Sequence, residues 1–370
     1  MKITVLLGGA SAERNVSLAS GLRIANALRS RGHEVTAFDP SKGVIDAVAE
    51  RELTAKGVGA EPPSIESLTK TTGGSFLPAL ETYPELAGAD VVYLALHGGQ
   101  GEDGTLQALL DMAHITYTGS GLLSSALAMD KDLSKKLFRA AGVNTADWLM
   151  APASIDEVEK TLGLPVIVKP SKQGSTVGLT LVKTREQFDA AVAEALLYDD
   201  EVMIEAFIPG REITVGVVGD LVLPVGEIKP KHELYDYECK YTPGMAQEDF
   251  PADLSAEETS AVQQQALAAF RALKLGGCAR IDFRLASSDD GGGKTPGRFY
   301  CLEANTLPGM TETSLIPQGA AAAGMSFADL CEEVVRLATI RILRFRRNTS
   351  SNGAVCTVTT TSHPRSSGKR

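Results

Sequence analysis

Residues 299–309 read FYCLEANTLPG. Taken as a β-strand, the run sets Phe299 and Cys301 on one face and Tyr300, Leu302 and Ala304 on the other. It also carries Glu303 and Asn305, two positions apart and therefore on one side. Burying an amide without a partner costs about 1–3 kcal/mol, and burying a carboxylate costs more, so something must compensate both. The stretch 278–285, CARIDFRL, repeats the device with Arg280 and Asp282. If the two strands pair, with SSDDGGGKTPG (287–297) as a flexible hairpin tip, then Arg, Asp, Glu and Asn side chains project into one place. Two readings fit. One is an ion-paired surface face of an edge hairpin. The other is a set of hard oxygen ligands, Asp282, Glu303 and Asn305, for Mg²⁺, which binds through a few carboxylates, waters and substrate phosphates.

Upstream of this hairpin the pattern alternates. ITVLL after Lys2 predicts a buried parallel strand, Gly8-Gly9 a turn, and Leu18, Leu22, Ala25 and Leu28 keep helical spacing. EVTAF (34–38) and ADVVYLALHG (89–98) read as further strands, and GEDGTLQALLDMA opens another helix, which together predict an open α/β domain over residues 1–119. A helix containing MDKDLSKKLFRAAG is expected from Ser124 to a C-cap at Gly142. LPVIVKP (164–170), EVMIEAFIPG, REITVGVVGD and LVLPVGEI read as strands, and Ser255 with Glu258 forms a capping box for a helix reaching Leu275. Residues 231–251, KHELYDYECKYTPGMAQEDFP, show neither periodicity and predict a long loop of the kind that carries function. Residues 341–370 hold seven Lys and Arg and no Asp or Glu, and 346–370 read as a disordered extension.

With 370 residues, 44% of them hydrophobic, the chain can bury a large core in two or three domains. A formal charge of −10 argues against non-specific nucleic-acid binding, which needs a basic surface. The five cysteines, Cys239, Cys278, Cys301, Cys331 and Cys356, are scattered without CxxC spacing and read as free thiols. The apolar opening is too short for a signal peptide, and no run reaches the length of a membrane span. These features read as a cytoplasmic protein without nucleic-acid or membrane partners.

Other candidates are weaker alone. In VKPSKQGSTVG, Gly174 and Gly178 let backbone N–H groups approach an anion while Lys169 supplies charge, although a plain hairpin turn reads the same way. It is not a Walker A loop. Lys131 in AMDKDLSKK is either a second phosphate ligand or a solvated helix lysine. Glu13, in GGASAERNVS, stands at a helix start, where interaction with the macrodipole is the plain alternative. His97 in LHGGQGEDG reads as a satisfied hydrogen-bonding histidine rather than a catalyst, and His33, His114, His232 and His363 lack zinc-ligand spacing.

The order of the motifs says more than each alone. GGASAERNVSLASG, LHGGQGEDGTLQALL, YTGSG, AMDKDLSK, LPVIVKPSKQGSTVG, YDYECKY, ARIDF and LEANTLPGMTETSL resemble, in this order, the motifs of the D-alanine–D-alanine ligases of the ATP-grasp superfamily, over about residues 1–340. The resemblance implies an α/β ATP-grasp fold. Its N-terminal open parallel domain would span 1–119, and two α+β domains, 120–205 and 206–345, would clasp ATP, with 231–251 as a catalytic lid. The implied reaction phosphorylates the carboxylate of one D-alanine with ATP, and the amine of a second D-alanine attacks the acyl phosphate, for peptidoglycan synthesis. By position, Lys131, Lys169, Ser175, Glu205, Phe207, Ile208, Glu212 and Lys240 would bind ATP. Asp282, Glu303 and Asn305 would hold magnesium or manganese, as two ions. Glu13 would bind the first ammonium and link through Ser175 to Tyr241. Arg280 and the Gly309 N–H would form an oxyanion hole, Ser314 and Leu315 would take the second carboxylate, and His97 would join the substrate-binding set. Relatives that make D-alanyl-D-lactate have histidine where this chain has Tyr241, so the resemblance implies a dipeptide product. Ala206 stands where some relatives have lysine and Leu307 where serine is common, and the 287–297 insertion and basic tail are particular to this chain. The resemblance also implies a homodimer.

Overall fold

A computed structural model describes residues 1–9, 11, 13–56, 83–174, 176–235, 239, 240, 242, 244–286 and 298–351, with 341–351 described by their backbone. The 287–297 insertion and residues 352–370 lie outside this set.

Three sheets organise the chain. In the first, β1 (Lys2–Leu6), β2 (Glu34–Asp39) and β4 (Val91–Leu94) run parallel, with β3 (Gly43–Val44) antiparallel at the edge in the order β3-β2-β1-β4. The apolar run of β1 is continuous because both of its faces are covered. Ile3 and Val5 pack beneath the helix Arg14–Ser30, whereas Leu6 joins Phe38, Leu94, Leu106 and Leu110 on the opposite face. Helix Phe327–Ser351 returns to lie along Arg14–Ser30, so Leu330, Cys331 and Val334 share that first core, and the helix runs past residue 345.

The second sheet is antiparallel, in the order β5-β8-β6-β7: β5 (Trp148–Met150), β6 (Val166–Pro170), β7 (Thr180–Val182) and β8 (Val202–Ala206). Val166, Val168, Val202 and Ile204 point into a core with the helices Ile155–Thr161 and Phe188–Ala195. Alternation therefore turns Ile167, Lys169 and Glu205 toward the other side.

The third sheet, also antiparallel, has β9 (Gly210–Val218), β10 (Leu221–Val222), β11 (Gly226–Pro230), β12 (Ala246–Asp249), β13 (Cys278–Ala286) and β14 (Arg298–Asn305) in the order β12-β11-β9-β13-β14, with β10 beside β9. Ile213, Val215, Ala279, Ile281 and Phe283 meet Val262, Ala266 and Phe270 of the helix Ala256–Ala272. The polar face opposite looks across a cleft at the second sheet.

Three local outcomes differ from simple periodicity. The helix expected from Ser124 to Gly142 is two, Leu122–Met129 and Lys131–Ala140, because Asp130 leaves helical geometry and its side chain caps the second by accepting the Leu133 N–H at 2.9 Å. The helix capped by Ser255 and Glu258 stops at Ala272 rather than Leu275, as Lys274 turns to φ +54°. In β14, strict alternation from Phe299 and Cys301 would carry Glu303 and Asn305 into the core. Instead Asp282 pairs with Glu303 and Phe283 with Cys301, leaving Leu302 as a β-bulge. Phe299, Cys301 and Ala304 stay inside while Leu302, Glu303 and Asn305 turn to the cleft.

Candidate active site

The polar face of the third sheet is built in rungs. Because β13 lies between β9 and β14, Thr214, Asp282 and Glu303 stand abreast, with Arg280 beside Asn305 on one side and Arg284 beside Glu212 on the other. The hydrogen bonds follow this register. Asp282, 8% exposed, accepts from Thr214 Oγ1 at 2.7 Å, from Arg280 Nε and Nη2 at 2.9 Å each, and from Asn305 Nδ2 at 2.9 Å. Burial would lower the Arg280 pKa, but the Asp282 and Glu303 carboxylates raise it. Burial would likewise raise Glu303, yet the cations of Lys131, Lys240, Lys169 and Arg280 hold it at about 2.

Across the cleft, Lys169 Nζ donates to Glu205 Oε2 at 2.7 Å, and Lys135 pairs with Glu205 Oε1 while donating to Thr145 Oγ1 at 2.6 Å. Against a burial effect that would raise it, the two lysines hold Glu205 at about 2. Burial, opposed by Glu205, draws Lys135 below the usual lysine range. Lys131 Nζ donates to the Gln173 carbonyl at 2.7 Å and lies 3.4 Å from Glu303, joining the phosphate-loop candidate to the third sheet.

The cleft, open to solvent, spans about 1010 Å³ and is lined by Lys131, Lys169, Glu205, Phe207, Ile208, Glu212 and Lys240, the expected nucleotide-binding residues within the described set, together with Asp282 and Glu303. Ile167, Leu179, Ile228 and Leu302 supply apolar walls. A slot with apolar walls and three lysines suits a flat base carrying a polyphosphate. Beside Phe207 and Ile208, the Ala206 and Phe207 N–H groups already donate to the carbonyls of Asp147 and Pro165 at 2.9 and 3.3 Å. The Ile208 carbonyl accepts from Arg284 Nε at 3.1 Å, and burial, opposed by Arg284, raises Glu212.

A second cavity of about 700 Å³ adjoins the first, and Gly174, Tyr235, Lys240 and Arg280 line both. Its remaining walls include Glu13, His97, Glu102, Asn305, Leu307, Gly309, Ser314 and Leu315. Gly98 has φ +68°, and a Cβ there would stand 2.9 Å from Glu13 Oε2; one at Gly174 would stand 3.6 Å from the same oxygen. The Glu13 carboxylate thus lies between the glycine turn of the first domain and the 174–178 loop. His97 spends Nδ1 on the Leu307 carbonyl at 2.8 Å and has Nε2 3.4 Å from Ser20 Oγ, and burial lowers its pKa. Ser314 accepts the Thr311 N–H at 3.0 Å, and its Oγ occupies the space a Cβ at Gly309 would need, 2.8 Å away. It precedes the helix Leu315–Ala322, whose first N–H groups make a site for an anion. Ser175 and Tyr241 lie outside the described residues.

Four residues of the site were not among the expected ones. Tyr235 lines both cavities, and YDYECKY carried its signal without singling it out. Lys135 is four residues from Lys131 and so on the same helix face, a spacing that could have found it. Arg284 continues the alternation of Arg280 and Asp282 along β13. Glu102 accepts the N–H groups of Gly98 and Leu307 at 3.1 and 3.2 Å, and burial with the nearby Glu13 lifts its carboxyl to about 7; GEDG offers two acids and no reason to choose between them.

Two family models match the chain, one described as D-ala D-ala ligase N-terminus over residues 2–120 and one as D-ala D-ala ligase C-terminus over residues 132–336. A D-alanine--D-alanine ligase of Syntrophotalea carbinolica is 40% identical over 340 residues, covering 92% of this chain and 97% of its own length. The chain belongs to the D-alanine–D-alanine ligase family. A second relative of that description, from Halalkalibacterium halodurans, is 40% identical over 91% of this ligase and 99% of its own chain. The solved D-alanine-D-alanine ligase from Coxiella burnetii superposes with a TM-score of 0.75 at 29% identity, covering 94% of this chain and 97% of that one. The Bacillus anthracis ligase complexed with ATP gives 0.69 at 30% identity, covering 94% and 99%. VanG D-Ala:D-Ser ligase from Enterococcus faecalis gives 0.73 at 28% identity, covering 91% and 98%. The fold is the α/β ATP-grasp fold, with the second and third sheets facing each other across the cleft. Among the described residues no helix is long and apolar enough to cross a membrane, and no three His, Cys, Asp or Glu side chains gather as a metal site.

Proposed function

We infer that this ligase joins two D-alanines at the expense of ATP, producing D-alanyl-D-alanine, ADP and phosphate for peptidoglycan synthesis. The observation that carries the reading is the meeting of the two cavities at Lys240 and Arg280. A nucleotide in the first cavity and an amino acid in the second would present a phosphoryl group and a carboxylate to the same pair of cations. Lys131, Lys169 and Lys240 take the negative charge of the phosphates, and Lys135 and Glu205 keep Lys169 in place. Glu13, beside Gly98 and Gly174, accepts the first ammonium. The γ-phosphoryl group passes to an oxygen of the first carboxylate, and ADP leaves. The second amine then attacks the acyl carbon, and the phosphate departs as the amide forms. Arg280 and the Gly309 N–H stand ready for the oxyanion of that step, where one preorganised donor is worth roughly 3 kcal/mol. Ser314 and Leu315, at a helix N-terminus, hold the second carboxylate.

The donor set of Asp282, Glu303 and Asn305 fits a hard divalent cation. Two carboxylates stand abreast on paired strands, and Asn305 spends its amide nitrogen, not its oxygen, on Asp282. When bound there, magnesium or manganese supplies charge neutralisation for the phosphoryl group in transfer. Tyr235 and Lys240, from the 231–251 segment, cover the junction of the cavities and exclude water that would hydrolyse the acyl phosphate. Tyr241, where D-lactate-using relatives carry histidine, supports an amine as the second nucleophile.

The test is product mass, with ATP and D-alanine supplied alone, with D-lactate and with D-serine. D-alanyl-D-alanine should dominate, with ADP formed only when D-alanine is present. A depsipeptide or a D-alanyl-D-serine as the main product would overturn the substrate assignment.

A further inference from the structure

We propose that Arg23 is a positioning residue for the wall of the second cavity that carries Gly309. The segment 307–311 follows β14 and so belongs by sequence to the third sheet, yet its backbone is held by the first domain. Glu102 accepts the Leu307 N–H at 3.2 Å, and His97 Nδ1 donates to the Leu307 carbonyl at 2.8 Å. Ser20 Oγ accepts the Met310 N–H at 3.0 Å, and Arg23 Nη1 donates to the carbonyls of Met310 and Thr311 at 3.1 and 2.8 Å. Gly309 sits between these anchors, so they set where its N–H points. Each contact is to main chain and therefore fixes position whatever side chains the segment bears.

Ser20 and Arg23 are neighbours on one face of the helix Arg14–Ser30, and Glu13 is the residue at which that helix begins. One rigid rod thus carries both the carboxylate that receives the first ammonium and the donor that holds the oxyanion wall. The Arg23 guanidinium is itself fixed, because its carbon lies 3.6 Å from the centroid of the Phe327 ring on the returning C-terminal helix. A planar guanidinium can donate to two adjacent carbonyls from one nitrogen while stacking its face on a ring, whereas an ammonium has no face to stack and a shorter reach.

The inference rests on the reading of Gly309 and Ser314 as substrate-contacting, and the experiment separates the two. Arg23→Met keeps the aliphatic length beside Phe327 and removes the donors; Arg23→Lys restores a charged donor group at shorter reach. The measurements are kcat, KM for the second D-alanine, dipeptide formed per ATP consumed, nucleotide affinity and Tm. Arg23→Met should lower kcat roughly tenfold, as expected for losing a charged hydrogen bond to the wall. It should also lower dipeptide per ATP, because a misplaced second substrate leaves the acyl phosphate to water, while nucleotide affinity stays unchanged. Arg23→Lys should recover part of both losses. Ser314→Ala, run in parallel, should raise KM for the second D-alanine; if it does not, the reading of the cavity fails. If Ser314→Ala is impaired but Arg23→Met keeps normal kcat and coupling, the positioning role is overturned. Losses in Arg23→Met that fall equally on Tm and nucleotide affinity, and are not recovered by lysine, overturn it as well. Should Arg23→Met not fold, Arg23→Gln, too short to reach both carbonyls, takes its place, and normal kcat and coupling in it would have the same force.

Discussion

At Glu205, two lysine ammonium groups meet one carboxylate that is 3% exposed. Removing one partner from such a cluster leaves an uncompensated buried charge, so the group should govern acid stability. Its pKa is about 2 in the fold against 4.5 for a free glutamate. A depressed carboxyl contributes stability that is present above its unfolded pKa and lost as pH falls through the folded one. The stability difference between the wild-type ligase and Glu205→Gln should therefore be flat above about pH 5 and shrink only below pH 4.5, approaching its limit near pH 2, with a contribution of about 3 kcal/mol. Thermal melts of both proteins across pH 2–7 check this, and a difference that varies between pH 5 and 7 would contradict it. Much of the convergence of residues was legible in the sequence. Lys169, Glu205, Asp282 and Glu303, picked out by the motifs, all face one cleft. Glu102 was not legible because its role depends on what folds against it, the backbone of Leu307; the spacing from Lys131 pointed to Lys135, but its partner on a strand of the second sheet came only with the fold.

Among the elements, the glycine turn after β4 shows how local backbone serves the site. Gly98 at φ +68° occupies a conformation that costs an L-residue about 1–2 kcal/mol, and the Cβ it lacks would press on Glu13. Gly98→Ala should raise KM for the first D-alanine at least several-fold while nucleotide affinity holds, as read by steady-state kinetics and nucleotide titration; an unchanged KM would separate Glu13 from the ammonium. The strands teach a related lesson. The alternation of Arg280, Asp282 and Arg284 along β13 could be read directly from sequence, since the strand keeps strict period two. The bulge at Leu302 could not, because period-two arguments apply only while a strand's pairing is unbroken and the partner register fixes where it breaks. In the 231–251 segment, β12 was not legible because AQED is a polar edge strand without an apolar face to mark it. The break at Asp130 was readable as an N-cap just before Lys131, although the continuous apolar pattern on both sides concealed it.

For the whole molecule, the consequence of three sheets is that no one of them owns the chemistry. The larger cleft is built by the second and third, and the adjoining cavity by the first and third. Nucleotide should accordingly stabilise the assembled arrangement over the unfolded chain by about 2.7 kcal/mol at a hundred times its Kd, visible as a rise in Tm with a non-hydrolysable ATP analogue; no rise at saturating analogue would disconnect the cleft from ATP. The order of the motifs made this arrangement legible as a fold. The return of the C-terminal helix onto the first domain, and the grip of that domain on residues 307–311, came only with coordinates because both join segments hundreds of positions apart. The most direct test of the site is ADP formation with D-alanine, measured against magnesium concentration for the wild-type ligase and for Glu303→Gln. The rate of the variant should fall by about 100-fold at limiting magnesium and recover in part only at much higher concentration. A Glu303→Gln ligase that matches the wild-type rate and the wild-type magnesium requirement would show that the paired carboxylates of β13 and β14 do not carry the cation.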